Sequence, residues 1–198
     1  MLVKYLTNNG EAMNVLVLVG STRAASYNAR MAEAVVAALP AHVAVSRFDL
    51  TTLPFYDADA DAAGELGEVV DVFRRGVAAA DAIVIATPVY NGSMSASVKN
   101  AIDTASRPRP GASISGVPVG VVTAASNARA AGVLEHVRLS LRIAGAAPLG
   151  RGLVALLGES FDAQGDLVPE LRDELAGFVS ELLAAADSAD AGDQAPAA

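Results

Sequence analysis

Asn14-Val15-Leu16-Val17-Leu18-Val19-Gly20-Ser21-Thr22-Arg23-Ala24-Ala25-Ser26-Tyr27-Asn28 decides how this chain folds. After Asn14, the next five residues form a continuous apolar run of alternating valine and leucine. Such a run suits a strand covered on both faces, as in a parallel sheet. Gly20 ends it, and Ser26 or Asn28 can then cap a helix. Met31, Val35 and Leu39 recur along one helical face, and Pro40 closes the helix. The stretch therefore reads as strand, polar loop, helix.

The same unit repeats outward from there. Residues 43–50 read as a second, more polar strand, and 53–57 as a loop with an exposed aromatic pair, Phe55 and Tyr56. Asp57, Asp59 and Asp61 read as a solvated acidic loop. A helix is predicted over 62–80, with Leu66, Val70, Phe73 and Val77 on one side, and a third strand over 81–87, fully apolar inside. Ser95 or Ser97 opens a helix that ends near Ser106, before Pro108 and Pro110. A fourth strand over 117–123, a helix over 131–144, a fifth strand over 149–157 and a last helix over 168–186 complete the series. Strict alternation of strand and helix argues for an α/β fold: a parallel sheet with right-handed crossovers and helices on both faces. Five strands in such a domain most often take the order 2-1-3-4-5, the flavodoxin-like arrangement. The loops after strands 1 and 3 then flank one crevice at the carboxyl edge of the sheet, where ligands of such folds bind.

The whole chain narrows the function classes. Its 198 residues suit one domain, which buries roughly 70% of its unfolded surface. Residues 1–13 read as an N-terminal extension, 14–186 as the domain and 187–198 as a disordered tail of Ala, Asp, Gly, Pro and Gln. The absence of cysteine excludes disulfides, thiolate metal sites and a thiol nucleophile, and fits a reducing, cytoplasmic setting. A net charge of -8 argues against nucleic acid and anionic membrane as partners. No apolar run is long enough for a membrane span.

The 20–28 loop offers the hydroxyls of Ser21, Thr22 and Ser26, the Asn28 carboxamide and the Arg23 guanidinium, beside free amides and the positive end of a helix. That donor set matches a phosphate monoester. The Gly-x-Gly-x-x-Gly spacing of dinucleotide folds is missing, as are the Gly and Lys of a P-loop. The plainer alternative is a capped helix with solvated polar residues. In the second loop, Thr87-Pro88-Val89-Tyr90-Asn91-Gly92-Ser93-Met94-Ser95, Tyr90 gives a flat apolar face and Gly92 permits a close backbone approach. Exposed amides beside an aromatic face suit a planar heterocycle such as an isoalloxazine. The plainer alternative here is an Asn-Gly turn. Ser93 and Ser95 only faintly echo a hydrolase nucleophile elbow, whose second glycine is missing.

At these two loops the chain resembles the NADPH-dependent FMN reductase family of the flavodoxin-like superfamily, whose relatives include quinone, azo-dye and chromate reductases. Its Gly-Ser-x-Arg-x-x-Ser-x-Asn motif is met by Gly20, Ser21, Arg23, Ser26 and Asn28. Its Pro-x-Tyr-Asn-Gly-Ser motif is met by Pro88, Tyr90, Asn91, Gly92 and Ser93, and the following helix and Ser106-Arg107-Pro108 are also similar. The resemblance implies that Ser21, Arg23, Ser26 and Asn28 bind the FMN phosphate. It implies that Pro88, Val89, Tyr90, Asn91, Gly92 and Ser93 pack along the isoalloxazine, with Thr123, Ala125 and Ser126 closing the third side. It implies hydride transfer from NADPH or NADH to FMN and on to a small-molecule acceptor such as a quinone, an azo compound or free flavin. A partner monooxygenase could take released reduced flavin. A homodimer or homotetramer is expected, with Phe55, Tyr56 and Val89 at the interface. The alternative is a flavodoxin-type electron carrier or redox interaction protein without NAD(P)H turnover. Val89 stands where many members have Glu, and Ala96 where a Gly is usual. The third loop, Ala125-Ser126-Asn127-Ala128-Arg129, is less glycine-rich than the family's. No residue needs to act as a general base, so His42 and His136 read as structural or solvated. Arg129 is weighed as a contact to the nicotinamide cofactor's phosphates against an ordinary surface arginine.

Overall fold

The opening apolar run forms β1 (Asn14–Val19), followed by α1 (Tyr27–Ala38) and β2 (Ala44–Phe48). A short 3-10 turn (Leu50–Thr52) leads to α2 (Ala58–Ala63), α3 (Glu68–Ala78), β3 (Ala82–Ala86), α4 (Ala96–Ala105) and β4 (Pro118–Ala125). Then come α5 (Ala131–Ala144), β5 (Ala147–Pro148), β6 (Leu153–Leu156) and α6 (Pro169–Asp193). The computed structural model describes residues 13–127 and 130–193. All strand pairs in the sheet are parallel, in the order β2-β1-β3-β4-β5, with β6 also paired to β4. The expected order 2-1-3-4-5 and its switch point between β1 and β3 are therefore present.

Strand alternation divides the core in two. Leu16, Leu18, Ile83, Ile85, Val119 and Val121 face α3, α4 and α5. Val15, Val17, Ala82, Val84, Val122 and Ala124 face α1 and α6. Successive side chains of a strand point to opposite faces, so each apolar run supplies both layers. Gly120 makes room on the second face: a β-carbon there would lie 2.5 Å from the ring of the fully buried Phe178 of α6.

Several expectations need correction. The helix foreseen over 62–80 is two helices, because Gly64 (φ 72°) and Gly67 (φ 85°) adopt left-handed backbone between them. The strand foreseen over 149–157 shortens to β6 (Leu153–Leu156), and a separate two-residue strand, β5 (Ala147–Pro148), pairs with the same edge of β4 just before it. Their interruption carries Gly152, whose α-carbon packs so close to the Val121 carbonyl that a β-carbon would lie 2.6 Å away. Of the tail expected from Asp187, residues 187–193 continue α6, which alanine sustains, and 194–198 lie outside the described residues, as do 1–12 of the expected N-terminal extension. The acidic segment is not merely solvated. Asp57 caps α2, and Asp61 makes a two-pronged ion pair with Arg74, both contacts 2.8 Å, with each side chain about 15% exposed. Tyr56 is likewise half-buried rather than exposed: its amide donates to Asn100 Oδ1 (2.8 Å), and its hydroxyl bonds Asp61. Phe55 alone of that pair stands out, 79% exposed.

Candidate functional site

An open cleft of about 580 Å³ lies where the loops after β1, β3 and β4 converge. Its size falls within the range of small-molecule sites. Ser21, Arg23, Ser26 and Asn28 line it from the first loop, Pro88, Val89, Tyr90, Asn91 and Gly92 from the second, and Ala125 and Ser126 from the third. Tyr27, Ala124, Asn127 and Leu157 line it as well and were not singled out from the sequence. Leu157 reaches the cleft because its amide donates to the Ala125 carbonyl (2.9 Å), extending the β4–β6 pairing to the rim. A pattern of apolar residues locates a strand but not the neighbour beside which its end emerges.

The first loop leaves β1 through Gly20, whose amide donates to the Ala86 carbonyl (2.8 Å). A β-carbon on Gly20 would sit 2.5 Å from both Ser95 Oγ and Val98 Cγ2, so only glycine fits between β1 and the start of α4. Ser26 caps α1: its Oγ accepts from the Ala29 amide (3.2 Å), and its own hydroxyl proton remains free to donate. Ser21 Oγ accepts from the Arg23 amide (3.4 Å). The Arg23 guanidinium is exposed and has no ion pair among the described residues. Asn28 behaves differently. It is buried, its Nδ2 donates to the Ala124 carbonyl (3.1 Å), and its Oδ1 accepts from the Ala124 amide (2.9 Å). This reciprocal pair ties the start of α1 to the end of β4, leaving one amide proton for the cleft.

The second loop is a tight hairpin. Tyr90 and Ser93 exchange both backbone hydrogen bonds (2.9 and 3.0 Å), and Asn91 (φ 51°) and Gly92 (φ 77°) lie between them in left-handed backbone. Two central residues with positive φ make a type I′ turn, which Asn-Gly favours. The Asn-Gly turn and the cleft wall are thus one structure, with the Tyr90 ring half-exposed beside it. Ser93 closes the turn and does not line the cleft. Beneath lies a buried set of hydroxyls. Thr87 Oγ1 accepts from the Ser95 amide (3.2 Å) and donates to the Pro88 carbonyl (3.1 Å), while Thr123 Oγ1 donates to the Thr87 carbonyl (2.6 Å). Ser95 Oγ lies 3.0 Å from Ser97 Oγ, which donates to the Gly20 carbonyl (3.1 Å). Thr123, expected at the third side of the cleft, is fully buried below the second loop instead. Its hydroxyl is spent on the Thr87 carbonyl, while the next two residues, Ala124 and Ala125 at the end of β4, line the cleft.

Arg23 is the only charged group lining the cleft among the described residues, and no histidine or carboxylate lines it. His42 and His136 are exposed elsewhere, and Arg129 lies outside the described residues. The titrating groups with displaced pKa values are remote from the cleft. The Arg74 guanidinium holds the Asp61 carboxyl below its ordinary range, and burial, then the bond to Asp61, pushes the Tyr56 phenol up. Hydroxyls and a guanidinium at the start of a helix suit a phosphate, and an aromatic and proline wall beside unengaged turn amides suits a planar ring. The residues present fit FMN.

Residues 13–159 match the NADPH-dependent FMN reductase family. The chain belongs to that family. It is 35% identical over 166 residues to the NAD(P)H-dependent FMN reductase of Pseudomonas aeruginosa, covering 82% of this chain and 89% of the relative. It is 32% identical over 176 residues to a quinone reductase of Pseudomonas putida, covering 87% and 94%. A 2-hydroxy-1,4-benzoquinone reductase of Burkholderia is 36% identical over 139 residues, covering 66% and 74%. Among solved structures, the flavoenzyme NAD(P)H:(acceptor) oxidoreductase FerB of Paracoccus denitrificans superposes with a TM-score of 0.79 at 25% identity, covering 89% of this chain and 98% of that one. The chain is thus an oxidoreductase with the fold of its family. Among the described residues no helix is long and apolar enough to cross a membrane.

Proposed function

We propose that this chain is an NAD(P)H-dependent FMN oxidoreductase whose flavin cleft serves both half-reactions, with a quinone as the electron acceptor. The observation that carries the reading is the meeting, at the β1/β3 switch point, of the Ser21–Arg23–Ser26 donor set with the Pro88–Tyr90 wall. The named activities of the P. putida and Burkholderia relatives support a quinone as acceptor over an azo compound or free flavin.

Ser21, Arg23 and Ser26 would hold the FMN phosphate, and Asn28 would act chiefly by fixing Ala124 against the first loop. Pro88, Val89, Tyr90, Asn91 and Gly92 would line the ring, with Ala125 and Ser126 opposite. Ser93 and Thr123 would contribute by shaping the second loop. The chemistry supplied by bound FMN is acceptance of a hydride from NAD(P)H and its onward delivery to the acceptor. The protein's part is to orient the ring and leave one face open to the donor and the acceptor in turn. The absence of acid or base groups along the described cleft accords with that division of labour. Val89 keeps the second loop uncharged where many family members carry a carboxylate, which favours neutral, planar acceptors.

The flavin spectrum under anaerobic NADPH tests the reading. Bleaching, followed by recovery on adding a benzoquinone, is expected. A flavin that stays oxidised under NADPH would instead mark an electron carrier. Kinetics with and without added FMN separate a resident cofactor from flavin released to a partner monooxygenase. A homodimer or homotetramer, with exposed Phe55 at its interface, is part of the proposal; a monomeric mass in solution would remove it. Residues 14–186 are taken as the FMN-binding domain, acting in the cytoplasm.

A further inference from the structure

A second open cleft, of about 640 Å³, lies on the other side of the first loop. Ser26 lines both clefts. The second is floored by the small side chains of Ala24, Ala25 and Ala29. Its far wall is the hairpin after β6, closed by the antiparallel bridge between Phe161 and Leu167. The hairpin is fastened to α1 at two points. The Phe161 ring packs on Tyr27 with centroids 4.7 Å apart, and Arg30 Nη1 donates to the Gln164 carbonyl (3.3 Å) while its guanidinium lies over the Tyr27 ring. Gly165 makes this possible, because a β-carbon there would collide with the Arg30 guanidinium.

We propose that this cleft receives the adenylate end of a dinucleotide cofactor whose other end occupies the first cleft. The inference rests on the reading of that first cleft as a flavin site. Three observations carry it. Ser26 caps α1 and Arg30 lies one turn further on, its amide donating to the Ser26 carbonyl (3.1 Å), so the two stand at the same end of the helix. A second phosphate following the one held by the first loop comes within reach of a guanidinium that spends one of its five N–H donors on Gln164. Phe161 adds an apolar aromatic side chain to a cleft floored by alanines, which suits a purine. Asp166 and Glu33 line the same cleft and can accept the ribose hydroxyls, as an acidic residue does in dinucleotide folds; the Glu33 charge is partly answered by Arg47 at 2.8 Å. The adenylate can be that of FAD, in continuity with the flavin, or that of NADH bound above FMN. Both present the same chemistry.

Two arms separate these sources. The first titrates FMN and FAD by calorimetry into the full chain freed of flavin by dialysis, for wild type, Arg30→Met and Phe161→Leu. The second measures KM and kcat for NADH with the FMN-loaded enzyme and the same variants. A roughly tenfold loss of FAD affinity in both variants, with FMN affinity unchanged, assigns the cleft to FAD. A roughly tenfold rise in KM for NADH without a parallel fall in kcat assigns it to the nicotinamide cofactor. If neither quantity moves, or if FMN and FAD affinities fall together, the cleft binds no adenylate. A wild-type chain that binds no FMN would overturn the functional reading and this inference together, whereas FMN binding with no response in either arm overturns this inference alone.

Discussion

The two loops that flank the cofactor cleft are built in opposite ways. The second is tied down from below: Thr87, Ser95, Ser97 and Thr123 spend their hydroxyls on one another and on nearby backbone, and the Tyr90–Ser93 turn closes on itself. The first is fastened at its two ends, by Gly20 and by the Asn28–Ala124 pair, and between them it leaves Arg23 exposed. A wall for a planar ring must be rigid before the ring arrives, whereas a phosphate cradle needs donors not already committed to protein. Substitutions beneath the loops should therefore change stability, and substitutions in the open part of the first loop should change ligand affinity.

The largest expected loss of stability is at Asn28. Asn28→Ala leaves the Ala124 amide and carbonyl without their partner in a buried setting, at a cost of about 3 kcal/mol. In a domain of this size that lowers Tm by about 6–12 °C, which differential scanning calorimetry resolves. Thr87→Val comes next, at about 2 kcal/mol, because it strips the Ser95 amide of its acceptor. Thr123→Val removes one donor to the Thr87 carbonyl, at about 1 kcal/mol. If Thr123→Val weakened FMN binding by more than its effect on stability explains, Thr123 would belong to the cleft after all.

Smallest, and away from both loops, is the Asp61–Arg74 pair. Its loss in Asp61→Asn should cost about 1 kcal/mol at neutral pH. The folded Asp61 carboxyl titrates below its ordinary value of 3.8. The unfolded chain therefore takes up that proton first as pH falls. The pair's contribution is complete above the ordinary value and disappears as pH drops through the folded one. Denaturant midpoints measured down to about pH 3 should fall less steeply for Asp61→Asn than for wild type.

The contrast between local and distant ties also separates what the amino-acid sequence makes legible from what it hides. The Gly20–Asn28 and Pro88–Ser93 motifs are local, and their donors, turn residues and strand-end positions are written in consecutive residues. The division of apolar runs into two core layers is equally local, since alternation along a strand needs no partner. What was not legible depends on register. Thr123 and Ala125 lie two residues apart in β4, and only the hydrogen bond of Thr123 to the distant Thr87 carbonyl shows that the first is covered while the second reaches the cleft. The break between β5 and β6 is a shift in register against β4, from Val119 opposite Pro148 to Val122 opposite Leu153, and it sets where Leu157 arrives at the rim. The engagement of Tyr56 and Asp61 depends on Asn100 and Arg74, more than ten residues away in each case.

Arg23→Ala tests the central claim most directly. Its FMN dissociation constant and the Tm of its flavin-free form should be measured side by side with those of wild type. A guanidinium that binds the FMN phosphate and makes no ion pair among the described residues should weaken FMN binding by roughly tenfold or more on its removal, while leaving that Tm unchanged. Unchanged FMN affinity would contradict the assignment of the first loop as the phosphate cradle, and with it the reading of the cleft as a flavin site.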